Sequence, residues 1–488
     1  MPESKEVPNA CSPCSARKRR CDRVMPICGW CARRNDPCYY VDHNNKQDLP
    51  GFPEKGFRLL FQQGRAAGPD SGCSKDLDSS LTAHLLDTLH QLTLDLGDMT
   101  ECFLLFVQPW MPIIHPATLR QKVLTLRGAP SAELACFLLH ILLVNPPSSL
   151  PSLRAFLPVL YEDCKSLFYL LQARRRDRLL TIQSGLLLAV YEQGHCSSSD
   201  AYISLASCAS LAHVMRLGQP FDGTASANDE SREDRRRVWW ALYFLDRLNY
   251  YSDKKTARIP LLRNAQMGDC LPGNDELWGY SDGWTRSAPS TVPSIPGKGL
   301  MAIISAFGEL IQAINTMECV LQLTRELSIR PETLVDQKSW KLDLLIQQKI
   351  HNSLTYSKPL HHQYMVVALD LMALIELHEK RLVCFSRQSD PSSIRESSAA
   401  ALEMALNIFG ELMKVDDNSK ILEIDRMPVT AAVLFEKMAS VVILLESQHS
   451  RNIEDAVQAL TRAMERASKR WGVIGETASH IRAARVSL

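Results

Sequence analysis

The chain has 488 residues, of which 45% are hydrophobic and 22% charged; this composition excludes a largely disordered protein and allows more than one folded domain. No apolar run reaches the roughly 20 residues that cross a bilayer, and the polar N-terminus has no targeting segment, so we expect a cytosolic or nuclear protein without membrane contact. Residues 1–38 hold eight Lys or Arg and four Asp or Glu, a formal +4, whereas the whole chain carries +1 and the remaining residues therefore −3.

Six cysteines near the N-terminus follow a doubled C-x2-C-x6-C pattern. They are Cys11, Cys14, Cys21, Cys28, Cys31 and Cys38. A structural zinc ion takes four tetrahedral ligands, and thiolates are among those it prefers, so two zinc ions need eight ligand positions. Six sulfurs fill eight positions if two are shared, and the repeat favours one bridge from each half, most simply Cys11 and Cys28. Because protein then fills every position, the pattern predicts two structural rather than catalytic Zn²⁺ ions.

Other interpretations of these cysteines fit less well. A disulfide framework is typical of small secreted proteins, whereas this chain is long and has nine further cysteines without a pairing pattern. A redox C-x-x-C motif expects a βαβ pattern beside it, which is missing from this sequence. A cross-braced ring domain would include histidine ligands at other spacings. A metal cluster also suits so short a segment, since metal binding can supply the folding energy that a small core cannot.

A run of four basic residues lies between the second and third cysteines. It comprises Arg17, Lys18, Arg19 and Arg20. The stretch 15–20 lacks Gly and Pro and can form a short helix, whose basic side chains could contact phosphates or bind guanine O6 and N7 in the major groove. A bare basic run can also be a solvated face or a nuclear-import signal. The position of this run between metal ligands favours double-stranded DNA as the partner.

Residues 11–38 resemble the binuclear zinc-cluster DNA-binding domain of fungal transcription regulators. All six cysteines fit that pattern, as do the basic run and the segment in which Asp22 and Pro26 precede Cys28. Ser15 departs from it, because many members have a basic residue directly after the second cysteine. The resemblance implies two short helices around the two zinc ions, with the first and fourth cysteines as bridges.

The same resemblance implies how the module binds DNA. The end of the first short helix would enter the major groove and recognise a CGG-type triplet. Lys18 stands where the family makes most of its base contact, with Arg17 beside it. Arg19 and Arg20 stand where phosphate contacts are made.

The domain boundaries follow from composition and periodicity. Beyond a short tail, 1–10, and the zinc module, 11–38, the segment 39–75 contains several Gly, Pro and Asn residues and predicts a flexible linker. Helical periodicity without alternating strands then predicts a large all-α regulatory domain over 76–488, with a loop near 281–299.

The first helix of this body could be capped by Asp76 or Asp78. Its apolar face consists of Leu81, Leu85, Leu86, Leu89 and Leu92. Because these leucines cover only about two heptads, we expect a core helix rather than a coiled coil, which would need three or four. The sequence therefore leaves both a monomer and a homodimer open.

Motifs further along resemble the middle homology region of the same family. They are residues 108–119, 181–194, 204–218 and 235–247, the last followed by Ile259-Pro260. We expect Trp239, Trp240, Tyr243 and Phe244 in the core. The basic runs 174–176 and 235–237 are interpreted as solvated faces with local ion pairs rather than as further nucleic-acid patches.

Together these patterns predict a nuclear, sequence-specific DNA-binding transcription factor that acts on RNA polymerase II promoters and contacts the transcription machinery or coactivators. The resemblance implies a pathway-specific activator, such as a regulator of a specialised-metabolite gene cluster. The alternative is an enzyme or scaffold whose helical body is localised to DNA by the zinc cluster. Against an enzyme, the sequence lacks G-x-S-x-G, H-E-x-x-H and a phosphate-binding Gly loop. Against a metal-buffering or scaffold protein stands the basic run, which metal storage does not need.

Overall fold

The computed structural model divides the chain into two units, Met1–Cys73 and Ser74–Leu488. The residues that the structure describes are 14, 19–23, 28–34, 72–145, 151–174, 177–218, 229–252, 258–266, 269–273, 275, 278, 305–329, 333–355, 360–385, 392–419, 427–447 and 454–487. Predicted features that lie outside them are the tail 1–10, Cys11, Arg17, Lys18, Cys38, the linker up to residue 71 and the loop 281–299.

The described residues form α-helices and no β-strand, as the periodicity predicted. The smaller unit contains α1, Gly29–Arg34. The first helices that follow are α2 Gly72–Gln91, α3 Leu96–Phe106, α4 Pro116–Thr125, α5 Ala132–Val144, α6 Pro151–Gln172, α7 Arg178–His195, α8 Ser198–Val214 and α9 Asp229–Ser252. The later ones are α10 Ala306–Ile329, α11 Thr333–Thr355, α12 Leu360–Phe385, α13 Ser392–Ser419, α14 Thr430–Ser447, α15 Glu454–Ala467 and α16 Gly472–Ser487. Among these helices none is both long and apolar enough to cross a membrane.

Side-chain caps set where several of these helices begin. Asp95, Ser131, Asp177 and Ser197 each accept hydrogen bonds from backbone N–H groups of the first turn that follows. Helix α4 is capped in the same way by His115, which accepts from the backbone N–H of Thr118, and it begins at Pro116, whose missing N–H costs nothing at this position. The four Asp and Ser caps are short polar residues directly before apolar runs, which is why these helix starts can be recognised in the sequence.

Two helices that are apolar on nearly all sides form the centres of the larger unit. Helix α7 is buried along most of its length and packs against α5, α6, α8 and α9. Helix α12 is buried in the same way over 365–377 and packs against α10, α11, α13 and α14. A helix that is hydrophobic all round needs neighbours on every side. Helix α9 contacts α7, α10 and α14, and α16 contacts α7 and α14, so these two helices join both centres.

Helix α2 begins earlier than the sequence indicated and is not capped by Asp76 or Asp78. It starts at Gly72, and the Asp78 carboxylate instead accepts a hydrogen bond of 3.0 Å from the backbone N–H of Ala132, the first residue of α5. Asp78 also lies 3.7 Å from the guanidinium of Arg174. Leu81, Leu85 and Leu89 are buried, as expected of a core helix.

The aromatic residues of α9 are buried, as predicted, but the basic run before them is not simply solvated. Trp239, Trp240, Tyr243 and Phe244 have exposed fractions of 8% or less. The side chain of Arg237 is fully buried, which corrects the expectation of a solvated face over 235–237. A basic run in a sequence does not distinguish a solvated arginine from one whose carboxylate partners arrive from elsewhere in the fold.

Buried arginines of α9 hold the segment that follows this helix. Arg237 donates to Glu233 at 2.8 Å, to Asp275 at 2.6 Å and to the carbonyl of Gly273 at 2.9 Å. Ten residues later, Arg247 donates to the carbonyl of Leu262 at 2.8 Å. Charged groups at these sites need such partners because burial removes their hydration.

Trp471 joins the two centres where α16 meets α7. It is fully buried, and its indole N–H donates to the carbonyl of Met427 at 3.1 Å. The backbone N–H of Gly472 lies 3.4 Å from Nδ1 of His195, the last residue of α7. Burial, and then the charge of Arg470, lower the pKa of His195 to about 4, so its neutral ring can accept this bond.

Gly194 of α7 faces Trp471 so closely that a larger residue does not fit. A Cβ at this position would lie much closer to the indole ring than van der Waals contact allows. The ring is buried, and its hydrogen bond to the carbonyl of Met427 holds it in place. We therefore expect Gly194→Ala to lower the free energy of unfolding by about 1–3 kcal/mol, although alanine favours helices. Urea unfolding of the zinc-loaded protein measures this.

Gly475→Ala in α16 is the matched control, because its added Cβ would meet Ser468 Cβ at 3.5 Å, an ordinary contact. This variant should be neutral or more stable by up to about 1 kcal/mol. Equal stability of the two variants would contradict the close approach of Gly194 and Trp471.

Candidate metal centre

Cysteine sulfurs converge in the smaller unit at distances that suit a zinc cluster. Cys14 Sγ lies 3.7 Å from Cys28 Sγ and 4.0 Å from Cys31 Sγ. A second group of potential ligand atoms, within 4.8 Å of one another, belongs to Cys21, Asp22 and Cys28. Two thiolates bound to one tetrahedral zinc at about 2.3 Å stand about 3.8 Å apart. The described cysteines therefore fit zinc ligation, and none of them forms a disulfide.

Cys28 is the cysteine that belongs to both groups. A shared sulfur must lie next to other ligands of both zinc ions, and the Cys28 sulfur lies within 4.8 Å of the sulfurs of Cys14, Cys21 and Cys31. Its bridging role stays a prediction. Cys11, the other predicted bridge, and Cys38 lie outside the described residues. The structure thus brings together four of the six predicted ligands: Cys14, Cys21, Cys28 and Cys31.

The cysteines themselves take the place of a hydrophobic core. Cys14, Cys28 and Cys31 are fully buried, and the partly buried Cys21 and Trp30 pack against them. Within the described part of this unit, the buried side chains are these cysteines. Buried thiolates without a cation would be very costly. Bound zinc ions would compensate the sulfur charges and hold the module together.

Helix α1 begins at the metal centre and directs its N-terminus at Cys28. The Cys28 carbonyl accepts from Ala32 N at 2.9 Å, and its Sγ accepts from Cys31 N at 3.4 Å. Cys28 is therefore the N-cap of α1. Backbone N–H groups and the positive end of a helix dipole stabilise a thiolate.

Asp22 and Gly29 connect the two halves of the cysteine repeat. Both carboxylate oxygens of Asp22 accept from Gly29 N, at 3.1 and 2.8 Å. A Cβ on Gly29 would lie 2.5 Å from Asp22 Oδ2, so a larger residue at this position would require the carboxylate to shift. The sequence marked Asp22 through its resemblance alone and missed Gly29; the signal was a glycine directly after a ligand cysteine.

Arginines surround the buried sulfurs on the outside. Arg19, Arg20, Arg23 and Arg33 are exposed. The predicted helix over 15–20 is wrong at its end: Cys14 is helical, but Arg19 and Arg20 are not, and Arg19 N donates to Cys14 O at 2.9 Å. These two side chains are exposed and lie open to an anionic partner.

Two family comparisons account for most of the chain. Residues 9–47 match the fungal Zn(2)-Cys(6) binuclear cluster domain. Residues 100–358, more than half of the chain, match the fungal specific transcription factor domain. The cluster domain implies two zinc ions, which confirms the predicted number of ions, and it implies DNA binding. The family consists of transcription factors that act in the nucleus, not of enzymes.

Curated relatives are similar over parts of their length. The abscisic acid cluster transcription factor abl7 of Leptosphaeria maculans is 26% identical over 336 residues, covering 51% of this chain and 55% of the relative. The xylanolytic transcriptional activator xlnR of Aspergillus clavatus is 29% identical over 137 residues, covering 24% and 14%. The quinic acid utilization activator of Emericella nidulans is 39% identical over 60 residues, covering 12% and 7%.

This chain thus spans little more than half the length of the first of these relatives and much less of the others. The assignment to a family rests on the two domain matches, which agree with the cluster of cysteine sulfurs and with the helical body. The chain belongs to the fungal transcription factors that combine a Zn(2)-Cys(6) binuclear cluster with a fungal specific transcription factor domain.

Proposed function

We propose that the protein is a pathway-specific activator that binds CGG-type triplets in RNA polymerase II promoters. The observation that carries this proposal is the exposure of Arg19 and Arg20 directly before Cys21, beside a rigid cluster of buried sulfurs. Basic side chains on a rigid support lose little freedom when they bind phosphates. Cys11, Cys14, Cys21, Cys28, Cys31 and Cys38 are proposed as ligands of the two zinc ions.

The charge of the module supports DNA as its target. Residues 11–38 hold seven Lys or Arg and two Asp. Two Zn²⁺ with six thiolates contribute −2, so the module carries about +3 on a small surface. The helical body over 76–488, which lacks this excess of positive charge, is proposed as the regulatory domain that contacts the transcription machinery or coactivators.

The named relatives support a pathway-specific role. One is called an abscisic acid cluster transcription factor, and two are called activators, of xylanolytic genes and of quinic acid utilization. The relative aligned with half of this chain serves a metabolite gene cluster by its name. We therefore propose a specialised-metabolite gene cluster as the target, and genome-wide mapping of bound promoters would name its genes.

The proposed division of roles within the basic run has a direct test. Lys18→Ala should weaken binding to CGG-containing DNA by about 1–3 kcal/mol and lower the preference for CGG over altered triplets. Arg20→Ala should weaken binding to both DNAs equally and reduce the slope of log K against log salt by about one. Fluorescence anisotropy of the full-length, zinc-loaded protein at several salt concentrations measures both effects.

Arg33→Ala is the control, since it removes an exposed arginine of α1 that lies outside the basic run. Its preference for CGG should match that of the unaltered protein. If Lys18→Ala and Arg20→Ala reduced binding equally on every DNA, the proposed base and phosphate roles would be wrong.

A further inference from the structure

A hydrogen bond across the connector of the cysteine repeat lies beside two of the proposed zinc ligands. Asp22 directly follows Cys21, the last cysteine of the first half, and Gly29 directly follows Cys28, the first cysteine of the second half. The backbone N–H of Gly29 donates to both carboxylate oxygens of Asp22, at 3.1 and 2.8 Å. This hydrogen bond therefore limits how far the two cysteines can move apart.

The same carboxylate lies close to the cysteine sulfurs without being needed as a ligand. One of its oxygens and the sulfurs of Cys21 and Cys28 lie within 4.8 Å of one another. In the proposed ligand set, six thiolates already fill all eight positions of two tetrahedral zinc ions. Groups next to a ligand set commonly orient the ligands, and loss of such a group lowers metal affinity by about 10- to 100-fold. Asp22 is placed for this orienting role.

The peptide group between Cys28 and Gly29 is held on both of its sides. Its carbonyl oxygen, which belongs to Cys28, accepts from the backbone N–H of Ala32 at 2.9 Å. Its N–H, which belongs to Gly29, donates to Asp22. The first contact holds this peptide group to the turn that follows, and the second holds it to the chain beside Cys21. Asp22 thereby restricts the backbone from which the Cys28 sulfur projects.

Gly29 is fitted to this contact from the other side. A Cβ on Gly29 would lie 2.5 Å from Asp22 Oδ2 and 3.7 Å from Asp22 Cγ. Apart from the adjacent residues and the backbone of α1, no other atom of the described residues would lie within 4 Å of it. A side chain at this position would therefore act on the metal centre through the Asp22 carboxylate. The two ends of the connector have matching requirements, an acceptor at one and no side chain at the other.

We propose that Asp22 is a positioning residue of the metal centre, which holds the backbone at Cys28 where the zinc ions need its sulfur and thereby slows zinc release. It acts through the hydrogen bond to Gly29 and not as a zinc ligand. A connector that this bond already closes has fewer conformations to lose when the metal binds. The proposal rests on the proposed ligand set, in which Cys28 is one of six ligands.

The rate of zinc release from the full-length, zinc-loaded protein to an excess of the chelating dye pyridylazoresorcinol tests this role. Asp22→Ala removes the acceptor and should release zinc about tenfold faster. Asp22→Asn also removes the negative charge but keeps an amide oxygen that accepts from Gly29 N, so its rate should stay close to that of the unaltered protein. Because both variants lose the same charge, rescue by asparagine separates the hydrogen bond from electrostatic attraction to zinc. Complete loss of zinc from Asp22→Ala, with two ions retained by Asp22→Asn, would support the same role.

Gly29→Ala alters the same contact from its other side. It should also release zinc faster than the unaltered protein, because its Cβ displaces the Asp22 carboxylate. The double variant Asp22→Ala/Gly29→Ala should release zinc no faster than Asp22→Ala, since the contact is already lost. Arg33→Ala is the control, because it changes an exposed side chain of α1, and it should not release zinc faster.

Cobalt in place of zinc shows whether Asp22 is a ligand, because the visible absorption of Co²⁺ depends on its ligands. The absorption bands of Asp22→Ala should keep the wavelengths of the unaltered protein. Shifted bands would make Asp22 a metal ligand and overturn the proposal.

Three results of the release experiment would also overturn it. They are zinc release from Asp22→Ala at the unaltered rate, equal acceleration in Asp22→Ala and Asp22→Asn, and additive acceleration in the double variant. A zinc content other than two ions per chain in the unaltered protein would instead contradict the proposed ligand set, so the two failures are distinct.

Discussion

Cys28→Ser is expected to remove both zinc ions and to abolish specific DNA binding. The Cys28 sulfur belongs to both groups of potential ligand atoms, and the same residue caps α1. With the proposed ligand set, in which Cys28 is shared, loss of this sulfur leaves each zinc with three thiolates and leaves the first turn of α1 without its acceptor. Because metal binding supplies the folding energy of so small a module, both ions should be lost together.

Elemental analysis of zinc per chain, with DNA binding measured on the same samples, tests the expected loss of both ions in Cys28→Ser. Cys14→Ser, which removes a ligand assigned to one zinc only, should retain up to one ion. Cys136→Ser is the control in the helical body: burial raises the pKa of this thiol, so it is not a thiolate ligand, and two zinc ions should remain. One retained zinc in Cys28→Ser would show that this sulfur does not bridge.

Arg237→Met should lower the free energy of unfolding by about 3–5 kcal/mol, the range for breaking a buried ion pair from one side. The change removes the contact at 2.8 Å to the fully buried carboxylate of Glu233, which keeps its contacts with Arg236 and with the backbone N–H of Gly273, and it removes the contact of Asp275 at 2.6 Å. It also removes the guanidinium that stacks 4.0 Å from the ring of Trp278. The residues Gly273, Asp275 and Trp278 would lose these contacts with α9.

Arg236→Met is the matched control because Arg236 pairs with the same glutamate, but its side chain is 21% exposed. This change should lower the free energy of unfolding by less than about 1 kcal/mol, because ion pairs near solvent usually contribute no more than that. Urea unfolding followed by circular dichroism compares the two variants. If the free energy of unfolding fell by a similar amount in both variants, the buried contacts of Arg237 would not have the stabilising effect that we expect.

The zinc module was predictable because its chemistry is local. Thiolates at fixed spacing are sufficient to indicate a tetrahedral metal, and the ligand count together with the internal repeat predicts Cys28 as a bridge. The bond between Asp22 and Gly29 was not predictable in this way. It depends on the folded path of the chain, which brings a carboxylate to a backbone N–H seven residues away.

In the helical body, periodicity predicted the helices but not their polar partners. Asp78 suits a helix cap by its type, yet its carboxylate bonds to Ala132, 54 residues later. Arg237 looked like part of a solvated basic run, and its partners Gly273 and Asp275 follow 36 and 38 residues later. Sequence patterns report local preference, whereas burial of a charge is decided by such distant pairs.

The junction of α7 with α16 bears on how the protein is made. His195 and Gly472 are neighbours in the fold although 277 residues separate them. At 5–20 residues per second, a ribosome needs roughly 15–55 seconds to synthesise that interval. During this time the nascent chain carries α7 without the indole ring that later covers Gly194. An apolar surface that stays uncovered for this long is a natural binding site for chaperones during translation.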